Sequence, residues 1–327
     1  DHVRHKPATP LPDPASKDPN PTFRDRVFFA PNPVGPKGKL AVVFPGSGNH
    51  FPGMGRDLSA AFPDVLRQQE GENRELRGQY APDKFWADAI PEDTTAKQFL
   101  FGQVTLGTLT ADVLARLGVR FDAMIGLSLG ESTGLFATRV WKSRDEMFRR
   151  VRESTLFGPD LGPPYNAART FWGWPKDQPL DWVTAVLSVP PDEVKAALKP
   201  GLKAFLLIAN TPTESVVGGV RADVEKLADQ FGRPFLPLPG VTLAHCEAGR
   251  PVEGPYRDLH TLPATKPDGM QVYSGAWGRT YVPTTEEAAA SITAGLVGVI
   301  DFPAVVEAAY RDGVRAFVEC GPGNSCT

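Results

Sequence analysis

The chain reads as an α/β protein in which a large parallel-sheet subdomain is interrupted by a small antiparallel one. Three observations predict this. Leu40-Ala41-Val42-Val43-Phe44 and Ala123-Met124-Ile125 have no polar face, as expected of strands covered on both sides of a parallel sheet, and a helical pattern lies between them. The second strand runs into Gly126-Leu127-Ser128-Leu129-Gly130, a G-x-S-x-G turn with a further helical pattern directly behind it. From Trp182 to Leu238 the order changes to strand, helix, strand, strand, helix, strand, the βαββαβ succession of a ferredoxin-like unit.

Composition bounds the function. A chain of 327 residues, 41% hydrophobic, can bury a sizeable core in one large or two modest domains. A net charge of −3 with scattered Lys and Arg leaves no footprint for nucleic acid. Cys246, Cys320 and Cys326 are odd in number and lack metal-ligand spacing, so no metal is expected and a reducing, cytoplasmic setting fits. No apolar run is long enough to span a bilayer.

Taken in order, residues 1–38 form a Pro-rich linker, with Pro7, Pro10, Pro12, Pro14, Pro19 and Pro21 among small polar residues. Both ends are expected to be cuts through a longer polypeptide. After the first strand comes Pro45-Gly46-Ser47-Gly48, a loop whose backbone N–H groups can face a ligand. Phe99 to Leu117 has helical spacing and stops at Gly118; Ser143 caps a helix with Met147, Phe148 and Val151 on one face. Val183–Val189, Phe205–Asn210, Glu214–Gly219 and Pro234–Leu238 read as the strands of the insertion, placed at 182–240; helices open at Pro191 and Arg221. The large subdomain, 39–181 and 241–327, resumes with a strand over Gln271–Ser274, helices over Ala288–Val297 and Pro303–Tyr310, and a final strand Val314–Cys320.

The chemistry centres on Ser128. A serine on a sharp strand-to-helix turn presents its hydroxyl, and Gly126 and Gly130 are required because strand and helix pass too close for a Cβ. The helix start supplies free N–H groups beside that hydroxyl, so the N–H of Leu129 is expected as one oxyanion donor and an N–H of the Gly46-Ser47-Gly48 loop as the other. Such a hydroxyl needs a base near neutral pKa. His2 and His5 lie in the linker, His50 adjoins the glycine loop, His260 sits in a Pro-rich loop, and His245 directly follows the insertion. The residues by themselves leave the choice among these histidines open. Glu131 is expected to brace the turn, and Cys246 only to pack.

Four motifs fall into the order of a known family: Val43-Phe44-Pro45-Gly46-Ser47-Gly48; Gly126 to Glu131; Ile208-Ala209-Asn210-Thr211-Pro212 with Val216-Val217-Gly218-Gly219; and Glu319-Cys320-Gly321-Pro322-Gly323. With them the chain resembles the acyltransferase domains of polyketide and polyunsaturated-fatty-acid synthases, which share the fold of malonyl-CoA:acyl carrier protein transacylase. Trp141 and Ser154-Thr155-Leu156-Phe157 resemble the polyunsaturated-fatty-acid and glycolipid-type members most. The resemblance implies an α/β-hydrolase-like large subdomain with an inserted ferredoxin-like one. It implies a Ser128–His245 dyad, with His50 as the fallback base, that moves an acyl group from acyl-CoA, through a serine ester, to the phosphopantetheine thiol of an acyl carrier protein among neighbouring synthase domains. It further implies no bound cofactor and a backbone carbonyl near Gly295 to Gly298 orienting the histidine.

Departures from the family pattern carry information. Ser47 replaces a glutamine whose backbone N–H is the useful part, and Leu127 replaces a histidine and is expected to line the acyl pocket with Gly46 and Asn210. The arginine that pairs with a malonyl carboxylate in the family falls here at Glu153 or Ser154, beside Arg152. Either a shift of register brings Arg152 into the pocket, or the cargo is an uncarboxylated acyl group. A serine hydrolase or thioesterase of acyl thioesters, and a non-catalytic docking domain, are the alternatives.

Overall fold

The computed structural model describes residues 38–175, 177–238 and 242–326. The predicted linker falls outside them except for its last residue. Strand β1 (Lys39–Phe44) is followed by four short helices between Arg56 and Phe85, which the sequence pattern does not predict, and then by the long helix α1 (Ala96–Arg116). Thr95 and Gln98 close a reciprocal capping box at the start of α1, three residues ahead of the expected first turn. Strand β2 (Ala123–Gly126) leads through Ser128 into α2 (Leu129–Ala137), and Ser143 caps α3 (Arg144–Glu153). The middle of the chain supplies β3 (Trp182–Leu187), α4 (Pro191–Ala197), β4 (Ala204–Thr211), β5 (Glu214–Val220), α5 (Arg221–Gln230) and β6 (Leu236–Pro237). Helix α6 (Glu253–His260), the hairpin β7 (Gln271–Ser274) and β8 (Arg279–Tyr281), α7 (Thr285–Val297), β9 (Ile300–Asp301), α8 (Phe302–Arg311) and β10 (Val314–Glu319) follow, and short helical segments lie at Leu156–Asp160, Asn166–Trp172 and Glu247–Val252.

The first sheet has the order β10-β1-β2-β7-β8, parallel except for the edge strand β8. Its apolar strands are explained by the alternation of side chains across a sheet. Ala41, Val43, Ala123 and Ile125 pack on one face with Tyr273, Phe302 and Val305. Val42, Phe44 and Met124 pack on the other with Phe101, Val104 and Leu135. The second sheet has the order β6-β3-β5-β4-β9. One of its faces adds Trp182, Leu207 and Val216 to the core beneath the first sheet, while Val183, Leu187, Leu206 and Val217 pack against Val194 of α4 and Val224 and Leu227 of α5. Two findings depart from the expected insertion. Its last strand shrinks to an edge pair at Leu236–Pro237, because proline cannot donate to a ladder. The fifth strand, β9, comes from outside the 182–240 segment and pairs with β4 through Ile208 and Ile300.

The passage from β2 to α2 is tight. A Cβ on Gly126 would overlap the backbone nitrogen of Glu131, and one on Gly130 would overlap the carbonyl oxygen of Phe44. Between them Ser128 takes φ 55°, ψ −119°, outside the comfortable regions for a residue with a side chain. Glu131, 4% exposed, ties this corner to β7, β8 and α7. Its carboxylate accepts from the N–H of Gly275 at 3.0 Å, from the Tyr281 hydroxyl at 3.1 Å and from the Ser291 hydroxyl. Burial raises its pKa and those three donors counteract the rise.

Two outcomes are expected in chemical denaturation. Gly130→Ala should cost at least about 3 kcal/mol, because backbone must move to admit the methyl group, whereas Gly254→Ala, with open space around it, should change stability by less than about 1 kcal/mol. Glu131→Ala should cost about 3 kcal/mol or more by stranding three donors around a buried site; a loss below about 1 kcal/mol would show that Glu131 does not brace the turn.

Candidate active site

Five described non-glycine residues have positive φ: Ala81, Ser128, Arg139, Tyr165 and His245. Two of them meet. Ser128 Oγ lies 2.7 Å from Nε2 of His245, which sits at φ 64°. The other ring nitrogen, Nδ1, lies 2.5 Å from the carbonyl oxygen of Gly295, within the segment expected to orient the histidine. That carbonyl is free because Gly295 is in the last turn of α7, where carbonyls have no partner further along the helix; the next one, of Leu296, accepts from Cys246 N at 3.1 Å. With a carbonyl as its partner, Nδ1 carries the proton, so Nε2 has a lone pair and accepts from the Ser128 hydroxyl.

Burial pushes the pKa of His245 down to about 4, only partly offset by the bond to Gly295, so the ring is a neutral base at physiological pH. Cys246 beside it is buried and its thiol is pushed up to about 12, which leaves it an inert packing group. Leu129 is the first residue of α2, so its N–H has no partner within the helix and stands at the positive end of the helix dipole next to Ser128 Oγ. Ser47 borders the same space from the loop after β1.

Ser128 and His245 stand between two cavities. The inner one, about 70 Å³, is bordered by Leu100, Leu129, Phe157, Tyr256, His260 and Ile292 among others. It adjoins an apolar recess between Phe101, Val104, Phe136, Met147 and Val151. The outer one, about 170 Å³, runs between the two sheets past Gly46, Leu127, Thr184, Leu207, Asn210 and Thr242.

The predicted pocket residues divide accordingly. Gly46, Leu127 and Asn210 border the outer cavity, so Leu127 does not line the inner, acyl-sized space expected of it. Asn210 donates to Glu214 at 2.6 Å. Arg152, Glu153 and Ser154 border neither cavity; Glu153 and Ser154 line instead a separate open groove of about 590 Å³ with Arg149 and Arg150, which neither Ser128 nor His245 borders. The buried face of α3 is Met147 and Val151, and positions one and two further on are turned roughly 100° and 200° away from it. Arg152 lies over the Phe148 ring, Glu153 is 62% exposed and pairs with Arg149 at 2.6 Å, and the Ser154 hydroxyl accepts from Leu156 N at 3.1 Å. Arg150 is also occupied, donating to the carbonyls of Asp258, Leu259 and Thr261. The fallback base His50 packs at a tilt against Phe99, ring centroids 4.0 Å apart, and borders neither cavity.

His260 departs from the expectation. It does not lie in a loop but in the last turn of α6, 4% exposed, at the border of the inner cavity and the apolar recess. Pro255 suggests a loop, yet it stands in the first turn of α6, where a missing N–H costs no helical bond. The usable signal is the spacing of Tyr256 and His260, one helical turn apart, whose rings pack at 4.3 Å.

No family model matches the chain. It is 27% identical over 243 residues to a polyunsaturated fatty acid synthase polypeptide of Thraustochytrium sp., a match that covers 69% of the chain and 12% of that polypeptide. It is 24% identical over 298 residues to the malonyl CoA-acyl carrier protein transacylase of Bacillus subtilis, covering 87% of each. Among solved structures, the acyltransferase domain of SpnD superposes with a TM-score of 0.72 at 21% identity, over 93% of this chain and 70% of that one. The malonyl-transacylase PlMCAT, solved with the type II polyketide synthase acyl-carrier protein AntF, superposes with a TM-score of 0.70 at 21% identity, over 88% of this chain and 90% of that one. In sequence and in fold, the chain is similar to the acyltransferases of polyketide, polyunsaturated-fatty-acid and fatty-acid synthesis.

Proposed function

We propose that the protein is an acyltransferase domain with a large α/β-hydrolase-like subdomain and a ferredoxin-like insertion over 182–240. It moves an acyl group from coenzyme A to the phosphopantetheine thiol of an acyl carrier protein through a Ser128 ester. The observation that carries this reading is the 2.7 Å contact between Ser128 Oγ and a histidine held by the Gly295 carbonyl. His245 Nε2 takes the hydroxyl proton as Oγ adds to the thioester carbonyl. The negative charge that develops on the carbonyl oxygen is met by the N–H groups of Leu129 and Ser47. Collapse expels the coenzyme A thiolate, which recovers the proton from Nε2. The carrier thiol then repeats the sequence in reverse, losing its proton to His245 and releasing Ser128. The outer cavity suits the pantetheine arm, since it reaches Ser128 from between the sheets, and the inner cavity suits the acyl group.

The cargo proposed is uncarboxylated. Among the described residues that border the inner cavity and the apolar recess there is no lysine or arginine. The only cations available there are His245 and His260, and burial pushes both down to about 4. A malonyl carboxylate in that space would be a buried charge without a partner.

Mixing the protein with acetyl-, butyryl- and malonyl-CoA and measuring intact mass should show an acetyl or butyryl adduct that Ser128→Ala removes. Persistent labelling of Ser128→Ala would rule out the serine ester, a malonyl adduct would rule out the uncarboxylated cargo, and steady release of free acid without carrier protein would mark a hydrolase. His245→Ala should slow adduct formation by about 10²–10⁴-fold. Because the base form of His245 is lost only as pH falls through about 4, the acylation rate should be level from pH 8 to 5.5 and drop about tenfold per unit below 4. A rate that halves near pH 6.5 would mean that the histidine is not desolvated as it is here.

A further inference from the structure

Apolar Leu100, Leu129, Phe157 and Ile292 share the wall of the inner cavity with hydroxyl, carboxyl and imidazole side chains. Within it, His260 and Ser132 both border the main space and the adjoining recess, so they stand at the junction of the two. The remaining wall at that junction is Leu100, Leu129 and Phe157. His260 Nδ1 lies 2.7 Å from the carbonyl oxygen of Tyr256, one turn earlier in α6. A carbonyl accepts only, so Nδ1 carries the ring proton and Nε2 is left as a bare acceptor. No described residue donates to that nitrogen, although the residue is only 4% exposed. An acceptor at the cavity border with no protein donor is open to a hydroxyl on a ligand.

We infer that His260 and Ser132 form a recognition point for a hydroxyl on the acyl chain, so that the site selects a short 3-hydroxyacyl group over the unsubstituted one. This rests on the acyl-enzyme reading above and narrows its cargo. A substrate hydroxyl donates to His260 Nε2 and accepts from the Ser132 hydroxyl, which satisfies both groups at once. The chain position follows from the cavity wall. Ser128 stands just ahead of α2 and Ser132 in its first turn, and both border the inner cavity, so an acyl chain held on Ser128 Oγ passes Ser132 within its first few carbons, where a 3-hydroxyl stands. A site built around a hydroxyl penalises the analogue that lacks it, because its own polar groups are then stranded.

The test compares 3-hydroxybutyryl-CoA with butyryl-CoA and malonyl-CoA, following coenzyme A release and ester mass. The native protein should favour the hydroxyacyl substrate by about tenfold or more in kcat/KM. His260→Phe, which keeps a ring against Tyr256 and Trp141, should erase that ratio, and Ser132→Ala should reduce it. A second readout is independent of acyl transfer and of how the variants fold: in ¹⁵N-histidine-labelled Ser128→Ala protein, 3-hydroxybutyryl-CoA should shift the His260 Nε2 resonance and butyryl-CoA should not. Equal rates for the two acyl groups, a ratio unchanged in His260→Phe, a resonance that ignores the hydroxyl, or a preference for malonyl-CoA would each overturn the assignment. Should the resonance respond to the hydroxyl while no thioester acylates Ser128, the acyl-enzyme reading fails and the recognition point stands.

Discussion

Everything in the site depends on one close crossing, where the carbonyl of Phe44 and the backbone of Glu131 leave no room for a side chain on Gly130 or Gly126. That crossing lets β1, β2 and α2 approach within backbone contact and forces Ser128 into a positive-φ conformation. Such strain costs of the order of 1–3 kcal/mol and persists only where surrounding structure over-determines it. Here the surroundings are the buried parallel strands on one side and Glu131 on the other, bonded to Gly275, Tyr281 and Ser291. The same corner therefore fixes the hydroxyl of Ser128 and the relative placement of β7, β8 and α7.

His245 reaches Ser128 by a different route. It follows the second sheet in the chain, takes a positive φ of its own, and is held by the spare carbonyls at the end of α7. The two functional side chains thus come from positions 117 residues apart, and they are joined across the packed interface of both sheets by α7, whose Ser291 bonds Glu131 and whose Gly295 holds His245. That interface also divides the space around Ser128 into an outer and an inner cavity. Thr184, Leu207 and Asn210 border the first, Leu100, Phe157 and Ile292 the second, and Ser47, Ser128, Thr242 and His245 border both, so the hydroxyl and its base are reached from either side.

The arginines of α3 show how a sequence register can mislead. Arg149, Arg150 and Arg152 lie within one turn of the position where a carboxylate partner would be sought, yet each is engaged elsewhere: with Glu146 and Glu153, with the carbonyls ending α6, and with the Phe148 ring. Arg150 helps to seat the end of α6, and so the turn that carries His260, by satisfying carbonyls that helix termini leave open. A charge expected at the substrate instead supports the wall around it.

The sequence alone determined the features written in local periodicity and in residues with a unique backbone role. The doubly buried strands, the Gly126–Gly130 turn around Ser128, the βαββαβ succession and the position of His245 after it are all of that kind, because side-chain alternation and glycine requirements act over a few residues. Only the tertiary structure decided which side chains share a cavity. Leu127 and Asn210 fell to the outer space, Glu153 and Ser154 to a separate open groove with Arg149 and Arg150, Arg152 to a place over the Phe148 ring, and His260, hidden behind Pro255, to the inner wall. Two-residue strands such as β9 were likewise invisible, since Ile300 and Asp301 gain their pairing from β4, some ninety residues earlier, and not from their own pattern. The physical reason is common to all of these. A cavity wall is assembled from helices and strands distant in the chain, and the direction in which each side chain points is settled by how those elements pack rather than by its neighbours in sequence.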